Sequence, residues 1–303
     1  FPAARQYFDK SLKTPIKADL KAQALFWKAE SFTQEHKANQ AISAYRLTKK
    51  STSKSDWDGL RDLDYHLAYA YFGQERYAES ISQFKNYLRQ SKLPKSKKVD
   101  SYLRLGDAFM LTRNYPEAKT YFRKAASSSG SKGDYAAYSE AICANLLDDF
   151  DEEVNLLNNF DLSYPNSVYR AKAKFQLAES YYQKRNYNQA QNHFNSFLSD
   201  HPKSELSKPA RMRLASIKYH QGHLDEALTD LKVLVAPLLQ QRADNLLSAT
   251  KTMFESSSAK SPELAARRFI SEVDGITLHF LSVYKDYPIL AVKEELYKNY
   301  KEL

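Results

Sequence analysis

A loose repeat with a spacing of 35 to 39 residues runs through most of the chain. Two stretches make it visible, Phe1-Pro-Ala-Ala-Arg-Gln-Tyr-Phe-Asp-Lys and Tyr115-Pro-Glu-Ala-Lys-Thr-Tyr-Phe-Arg-Lys. One small residue marks the same place in each copy, and these marker positions are Ala4, Ala41, Ser80, Ala118, Ala190 and Ala227, with Glu153 in a degenerate copy. A period of this length predicts stacked units that bury their apolar faces only against their neighbours.

A second motif lies about a dozen residues before most markers. It is a bulky residue, then a small one, then an aromatic three residues further on. The copies are Leu67-Ala68 with Tyr71, Leu105-Gly106 with Phe109 and Leu177-Ala178 with Tyr181; Lys28-Ala29 with Phe32 is partial, and Leu214-Ala215 has Lys218 in place of the aromatic. Spacings of three and four place these residues on one face of a helix. The two motifs predict a helix–turn–helix unit whose small residues let the helix axes approach closely.

Composition supports an all-α fold. Only 7 glycines are present, so β-turns and phosphate-binding loops have few residues to build them. The single cysteine, Cys143, excludes an internal disulfide and a multi-cysteine zinc site, and we expect it to be a small buried side chain. No apolar run approaches the ~18–20 residues needed to span a bilayer.

The chain resembles the tetratricopeptide repeat (TPR) family, whose pattern is a bulky residue with Gly or Ala, then Tyr, Ala, Phe, Ala and Pro at fixed offsets. Two units match best, through Leu177, Ala178, Tyr181, Ala190, Phe194 and Pro202, and through Leu105, Gly106, Phe109, Ala118, Phe122 and Ala125. Phe197 replaces a usual small residue, and the unit at about 134–170 departs most because Glu153 occupies an alanine position. The resemblance implies a right-handed superhelical solenoid of about six units over residues 1–237, a protein-binding scaffold and not an enzyme.

The ends of the chain leave two questions open. Phe1 falls in the second helix of a unit, so we expect a fragment of a longer protein or a chain that docks something at this end. Residues 238–303 lose the pattern, and we expect C-terminal helices at about 238–256, 262–286 and from 290 onward. We expect them to be either a degenerate repeat with a cap or the start of further units.

A search for catalytic or metal-binding motifs finds none. The chain has no Gly-rich phosphate loop, no His-Glu-x-x-His and no Gly-x-Ser-x-Gly. His220-Gln-Gly-His223 and the acidic residues at 148–153 fall at predicted turns, where polar side chains are expected. We therefore predict no catalytic residue, cofactor or metal. The net charge is +9, but the aromatics lie at packing positions, so we predict no nucleic-acid partner.

Residues on the first helices, outside the packing positions, are the candidates for binding. One row comprises Phe26, Tyr65, Leu103, Tyr138, Phe175 and Met212, and a later row comprises Thr33, Phe72, Met110, Asn145, Tyr182 and Tyr219. Between them lie Glu30, Tyr69, Asp107 and Glu179. If this face is the open, concave side, it is an aromatic groove with scattered carboxylates that suits an extended or helical peptide. The first row can equally be core between repeats. The predicted partner-binding residues are Phe72, Met110, Tyr182, Tyr219, Tyr69, Tyr138, Glu30, Asp107 and Glu179.

Two units close with Tyr164-Pro-Asn-Ser and His201-Pro-Lys-Ser. This ending resembles the longer-repeat TPR proteins of the bacterial cell envelope, such as the outer-membrane assembly lipoprotein, the Tol–Pal coordinator and secretion-system lipoproteins. The resemblance implies a periplasmic or outer-membrane scaffold, tethered through a lipidated segment upstream of Phe1. The alternatives are a cytoplasmic adaptor or regulator that binds peptides, and a helical repeat protein that binds nucleic acid.

Overall fold

The computed structural model describes residues 1–14, 16–51, 55–130 and 133–234, with isolated positions at 241, 245, 248 and 252. The helices are α1 (Pro2–Leu12), α2 (Ala18–Gln34), α3 (Ala38–Ser51), α4 (Leu63–Phe72), α5 (Tyr77–Leu88), α6 (Lys95–Leu111), α7 (Tyr115–Ser129), α8 (Asp134–Asn145), α9 (Phe150–Ser163), α10 (Arg170–Gln183), α11 (Tyr187–Asp200) and α12 (Ser207–His220). A 3₁₀ turn over Asp58–Asp62 precedes α4, and residues 224–234 are also helical. The predicted all-α fold is confirmed.

The helices pack mainly against their neighbours in the chain. Within units, α2 packs on α3, α4 on α5, α6 on α7, α8 on α9 and α10 on α11. Between units, α1 packs on α2, α3 on α4, α5 on α6, α7 on α8 and α9 on α10. The even-numbered helices are therefore the first helices of the units and the odd-numbered ones the second helices. Packing between neighbours only is what defines a solenoid.

Two compact units divide the chain, residues 1–210 and residues 211–303. The first contains α1 to α11 and the start of α12. In the second, the described residues are the rest of α12 and the helix at 224–234, together with the isolated positions. The predicted boundary near 237 and the helices predicted beyond it lie outside the described residues, apart from the helical positions 241, 245, 248 and 252.

Most marker residues are buried where two helices pack, but Ala4 on α1 is exposed. The buried markers are Ala41, Ser80, Ala118, Glu153, Ala190 and Ala227. The aromatic residues four positions later are also buried, namely Tyr45, Phe84, Phe122 and Phe194. The closest approach is at Gly106, where a Cβ atom would lie 2.6 Å from the Phe122 ring. Such a contact is too short to exist, so this joint accepts only glycine without movement of the ring.

A left-handed residue turns the chain between the two helices of each unit. It lies five residues before the marker, at His36, Glu75, Arg113, Asp148, Arg185 and Gly222. In each turn the amide of the next residue donates to a carbonyl near the end of the first helix. Asn114 N, for example, donates to Phe109 O at 2.8 Å. Five of the six positions are not glycine, although L side chains pay an energetic penalty in this region. This is how a chain with 7 glycines makes repeated sharp turns.

Glu153 replaces the marker alanine without disrupting its unit. Its side chain is fully buried on α9, and α8 and α9 pack as the other helix pairs do. Asn145 Nδ2 donates to one carboxylate oxygen at 3.0 Å, and Gln176 Nε2 donates to the other at 2.8 Å. Burial raises the pKa of Glu153 in spite of these hydrogen bonds. The polar residue therefore fits because α8 and α10 supply neutral donors to it.

This buried carboxyl makes a pH-dependent contribution to stability. Because its pKa is raised in the folded protein, its contribution is greatest at low pH and is lost as the pH rises through that folded pKa. Glu153→Gln has nearly the same volume and does not titrate. We expect the stability of this variant relative to wild type to rise between about pH 4.5 and neutral pH. Urea unfolding at the two pH values measures the difference.

Glu117→Gln is the control for that experiment, since Glu117 is exposed on α7. A Glu153→Gln effect with the same pH dependence as the Glu117→Gln effect would show that the carboxyl is not destabilised by burial.

Candidate functional site

The first row of candidates packs largely inside the solenoid. Phe26 is buried in a core cluster, and Phe175 contacts the ring of Phe194 with centroids 5.6 Å apart. Tyr138 stacks on Tyr169 at 5.4 Å. Met212, which belongs to the compact unit at residues 211–303, is exposed. Phe26, Tyr138 and Phe175 therefore fit the interpretation of this row as core between repeats.

The polar candidates link neighbouring first helices to one another. Glu30 on α2 accepts a hydrogen bond from Tyr45 and lies 2.8 Å from His66 Nδ1 on α4. Burial opposes ionisation of Glu30, but these two partners hold its pKa below the ordinary value. Tyr69 on α4 donates to Asp100 on α6 at 2.5 Å. The contact of Glu30 with His66 and the bond from Tyr69 to Asp100 therefore each bridge two repeats.

Arg104 joins this face and was not among the predicted residues. Its Nη1 donates to Asp107 at 2.7 Å, and its guanidinium lies 5.9 Å from the centre of the Phe72 ring. Asp107 also accepts from Tyr135 of α8 at 2.5 Å. A chain of contacts thus runs from α4 through α6 to α8. The available sequence signal was an arginine three residues before an acid on one helix face.

The second row keeps part of its surface open. Phe72, Met110 and Tyr182 are partly exposed at equivalent positions of α4, α6 and α10. Phe72 contacts Tyr77 at 5.5 Å, so its ring is held in place from one side. Tyr219 is 53% exposed and belongs to the compact unit at residues 211–303. Glu179, also on α10, is buried.

Two exposed leucines directly follow second-row positions in the sequence. Leu111 and Leu146 follow Met110 and Asn145 by one residue, at the ends of α6 and α8, and are 56% and 43% exposed. Trp27 on α2 is half exposed as well. These three were missed because only two rows of the helix face were considered. We call Phe72, Met110, Leu111, Leu146 and Tyr182 the first-helix patch.

The first-helix patch offers apolar surface between polar groups that already bind each other. Asn145 donates to Glu153 at 3.0 Å and to Gln183 on α10 at 3.3 Å, and Asp107 is bonded as described above. A partner that covers the patch therefore gains from apolar contact more than from these polar groups.

Metal and nucleophile chemistry has no support in the described part of the chain. No group of three or more His, Cys, Asp or Glu residues there is arranged to hold a metal ion. Cys143 is buried as predicted, and burial raises the pKa of its thiol to about 12. Nor does any helix within the described ranges have the length and apolar character needed to cross a membrane.

Comparison with known proteins places the chain in a family. The model for the tetratricopeptide repeat-like domain matches residues 135–246, and that for the tetratricopeptide repeat matches residues 65–133. The chain belongs to the tetratricopeptide repeat family, as the motif resemblance implied. Its fold is that of a protein–protein interaction scaffold, and proteins of this family are typically not enzymes. No curated protein sequence matches the chain.

Solved structures with the same fold are distant in sequence. The apo form of RapI has a TM-score of 0.58 at 15% identity, covering 89% of this chain and 81% of its own. The C-terminal part of a TPR repeat-containing protein from Cytophaga hutchinsonii has a TM-score of 0.55 at 15% identity, covering 82% and 95%. YrrB, a TPR protein described as having an unusual peptide-binding site, has a TM-score of 0.52 at 18% identity, covering 67% and 97%. At these identities the likeness concerns the fold alone.

Proposed function

We propose that the chain is a non-enzymatic scaffold that binds an extended or helical segment of a protein partner on its first-helix patch. The supporting observation is that the polar side chains between α2, α4, α6 and α8 bond to one another, while apolar residues beside them stay exposed. An isolated exposed leucine needs no explanation, but equivalent exposed apolar residues on successive repeats form a surface suited to recognition.

The exposed residues have a spacing that a peptide can follow. Phe72, Met110 and Tyr182 recur at one position of the first helices, and Leu111 and Leu146 recur at the next. Anchors at regular intervals along a groove are how extended and helical peptides are recognised. The unusual peptide-binding site of YrrB is a property of that protein, but it agrees with this use of the fold.

We further propose that the scaffold belongs to a bacterial cell-envelope or secretion complex, in the periplasm or at the outer membrane and tethered through a lipidated N-terminal segment. The support is the pair of unit endings at Tyr164 and His201. Both residues end their helices with nearly the same backbone, at φ −131° ψ 57° and φ −132° ψ 56°. Their carbonyls accept from the amides of Ser167 and Ser204 at 3.0 and 3.1 Å. The Pro-x-Ser motif thus builds one recurrent turn between units.

Site-specific photo-crosslinking in the native cell tests both parts of the proposal. A photoreactive residue replaces Leu111 in the full-length protein, and Leu162 is the matched control because it is an exposed leucine on the second helix α9. We expect crosslinks from position 111 to an envelope or secretion protein, and few from position 162. Crosslinks from 111 to cytoplasmic proteins would contradict the location. Equal crosslinking from both positions would contradict the assignment of the binding face.

A further inference from the structure

A groove between second helices has a polar accessible wall, unlike the apolar first-helix patch. It has a volume of about 480 Å³ and lies between the second helices α3 and α5, with Leu67 and Tyr71 of α4 at its base. Both base residues are largely buried, so the accessible wall consists of polar side chains. Its volume is within the usual range for a small-ligand or peptide side-chain site.

Four cations line this groove, and two of them pair with a carboxylate in the described part of the chain. Lys49 lies 2.6 Å from Asp64, and Arg76 donates to Glu79 at 2.8 Å. Arg46 and Lys50, which are four residues apart on α3, are exposed. Neither has a hydrogen-bond or ion-pair partner in the described part of the chain. Two cations therefore face the groove without an anion of their own.

The equivalent helix joint two repeats later shows what an arginine at this position binds. Arg123 on α7 lies five residues after its marker, as Arg46 does on α3. Arg123 donates at 2.6 Å to Glu140 of α8 and at 2.6 Å to Glu152 of α9. The joint between α7, α8 and α9 thus supplies its own carboxylates to the arginine.

The groove at α3 has only one carboxylate at these two positions. Leu67 occupies the position of Glu140, since each lies 13 residues before the marker of its repeat. Glu79 occupies the position of Glu152 but is engaged by Arg76. The backbone arrangement is repeated while the anion is missing.

We propose that this groove binds a carboxylate side chain from an acidic segment of a protein partner, with Arg46 and Lys50 as the ligating cations. The partner's carboxylate supplies the negative charge that Glu140 supplies to Arg123 in the later repeat. Arginine and lysine bind carboxylates through charge-assisted hydrogen bonds, which are the stronger class. The site is separate from the first-helix patch and does not depend on the function proposed for it.

The lining favours an acidic peptide over nucleic acid. Binding to single strands relies on exposed rings that stack with bases, but Tyr71 is only 5% exposed and is covered by Arg76 at 4.7 Å. Side chains four residues apart on a helix lie about 5–6 Å apart, which suits neighbouring carboxylates of one segment.

Binding of a labelled hexaglutamate peptide to the full chain, followed by fluorescence anisotropy at low salt, tests the proposal. We expect the double variant Arg46→Gln/Lys50→Gln to weaken binding at least about tenfold, because two charge-assisted contacts are lost. Lys92→Gln/Lys95→Gln is the control, since it removes the same charge from exposed positions elsewhere. We expect it to change the dissociation constant less than about twofold.

Three outcomes would overturn the proposal. The first is no measurable binding to the wild-type chain. The second is equal weakening by both double variants, which would assign the attraction to the net charge of +9 and not to a site. The third is tighter binding of a hexathymidylate strand with the same dependence on Arg46 and Lys50, which would assign the groove to nucleic acid. All four substituted side chains are exposed, so loss of folding does not confuse the comparison.

Discussion

Phe122→Ala is expected to lower the free energy of unfolding by about 3–5 kcal/mol, the largest effect of any substitution considered. Phe122 is fully buried where α6, α7 and α8 meet, beside Gly106, Leu105 and Ala125. Removing the ring leaves a cavity that the surrounding helices can fill only in part, because closely packed cores relax little around a lost side chain. Urea unfolding followed by circular dichroism measures the loss.

Two further variants test whether the loss of stability in Phe122→Ala comes from the cavity. Tyr7→Ala removes a ring that is 71% exposed, and we expect a change within about 0.5 kcal/mol. Gly106→Ala should destabilise the wild type, since its new Cβ meets the Phe122 ring, but should be tolerated better in the Phe122→Ala background. Equal effects of Phe122→Ala and Tyr7→Ala would show that this joint is not the tightly packed one described.

Ala178→Leu is expected to destabilise the chain by about 1–3 kcal/mol through overpacking. Ala178 is fully buried on α10, which packs against both α9 and α11. A leucine has three more heavy atoms and no free volume to enter, so the helices must separate or the side chain must leave its preferred rotamer. Thermal unfolding shows the effect as a lower melting temperature.

Ala78→Leu is the matched control for that substitution. Ala78 is an exposed helical alanine on α5, so the same chemical change adds atoms that project into solvent. We expect a change within about 0.5 kcal/mol. An unchanged melting temperature for Ala178→Leu would contradict the role of this alanine at the contact between helices.

The repeat could be predicted from sequence because its packing depends on a few residue types. Small residues such as Ala118 and aromatic ones such as Phe122 are needed wherever two helix axes approach closely, so they recur with the period of the fold. Even the degenerate unit around Glu153 follows the period. This unit has no small residue at the marker position. Glu153 fits there because Asn145 and Gln176, which lie on two other helices, donate hydrogen bonds to it.

The site was predicted only in part, because it depends on contacts between repeats. Sequence periodicity placed Phe72, Met110 and Tyr182 on one helix face, and the structure leaves them partly exposed. It did not show that Asp107 is bonded to Tyr135, or that Arg104 covers Phe72, since each contact joins residues 28 to 32 positions apart. Left-handed turns without glycine were unpredictable for a related reason. The packing of the two helices fixes their conformation against local preference.

Binding on the first-helix patch is tested by the affinity of a selected peptide for Leu111→Lys and Leu162→Lys. A peptide is first selected against the wild-type chain from a displayed library, and its dissociation constant is then measured for each variant. Both leucines are exposed, at 56% and 81%, so neither lysine should impair folding. We predict at least about tenfold weaker binding for Leu111→Lys and no change for Leu162→Lys. Unchanged binding to Leu111→Lys, or loss confined to Leu162→Lys, would contradict binding on this patch.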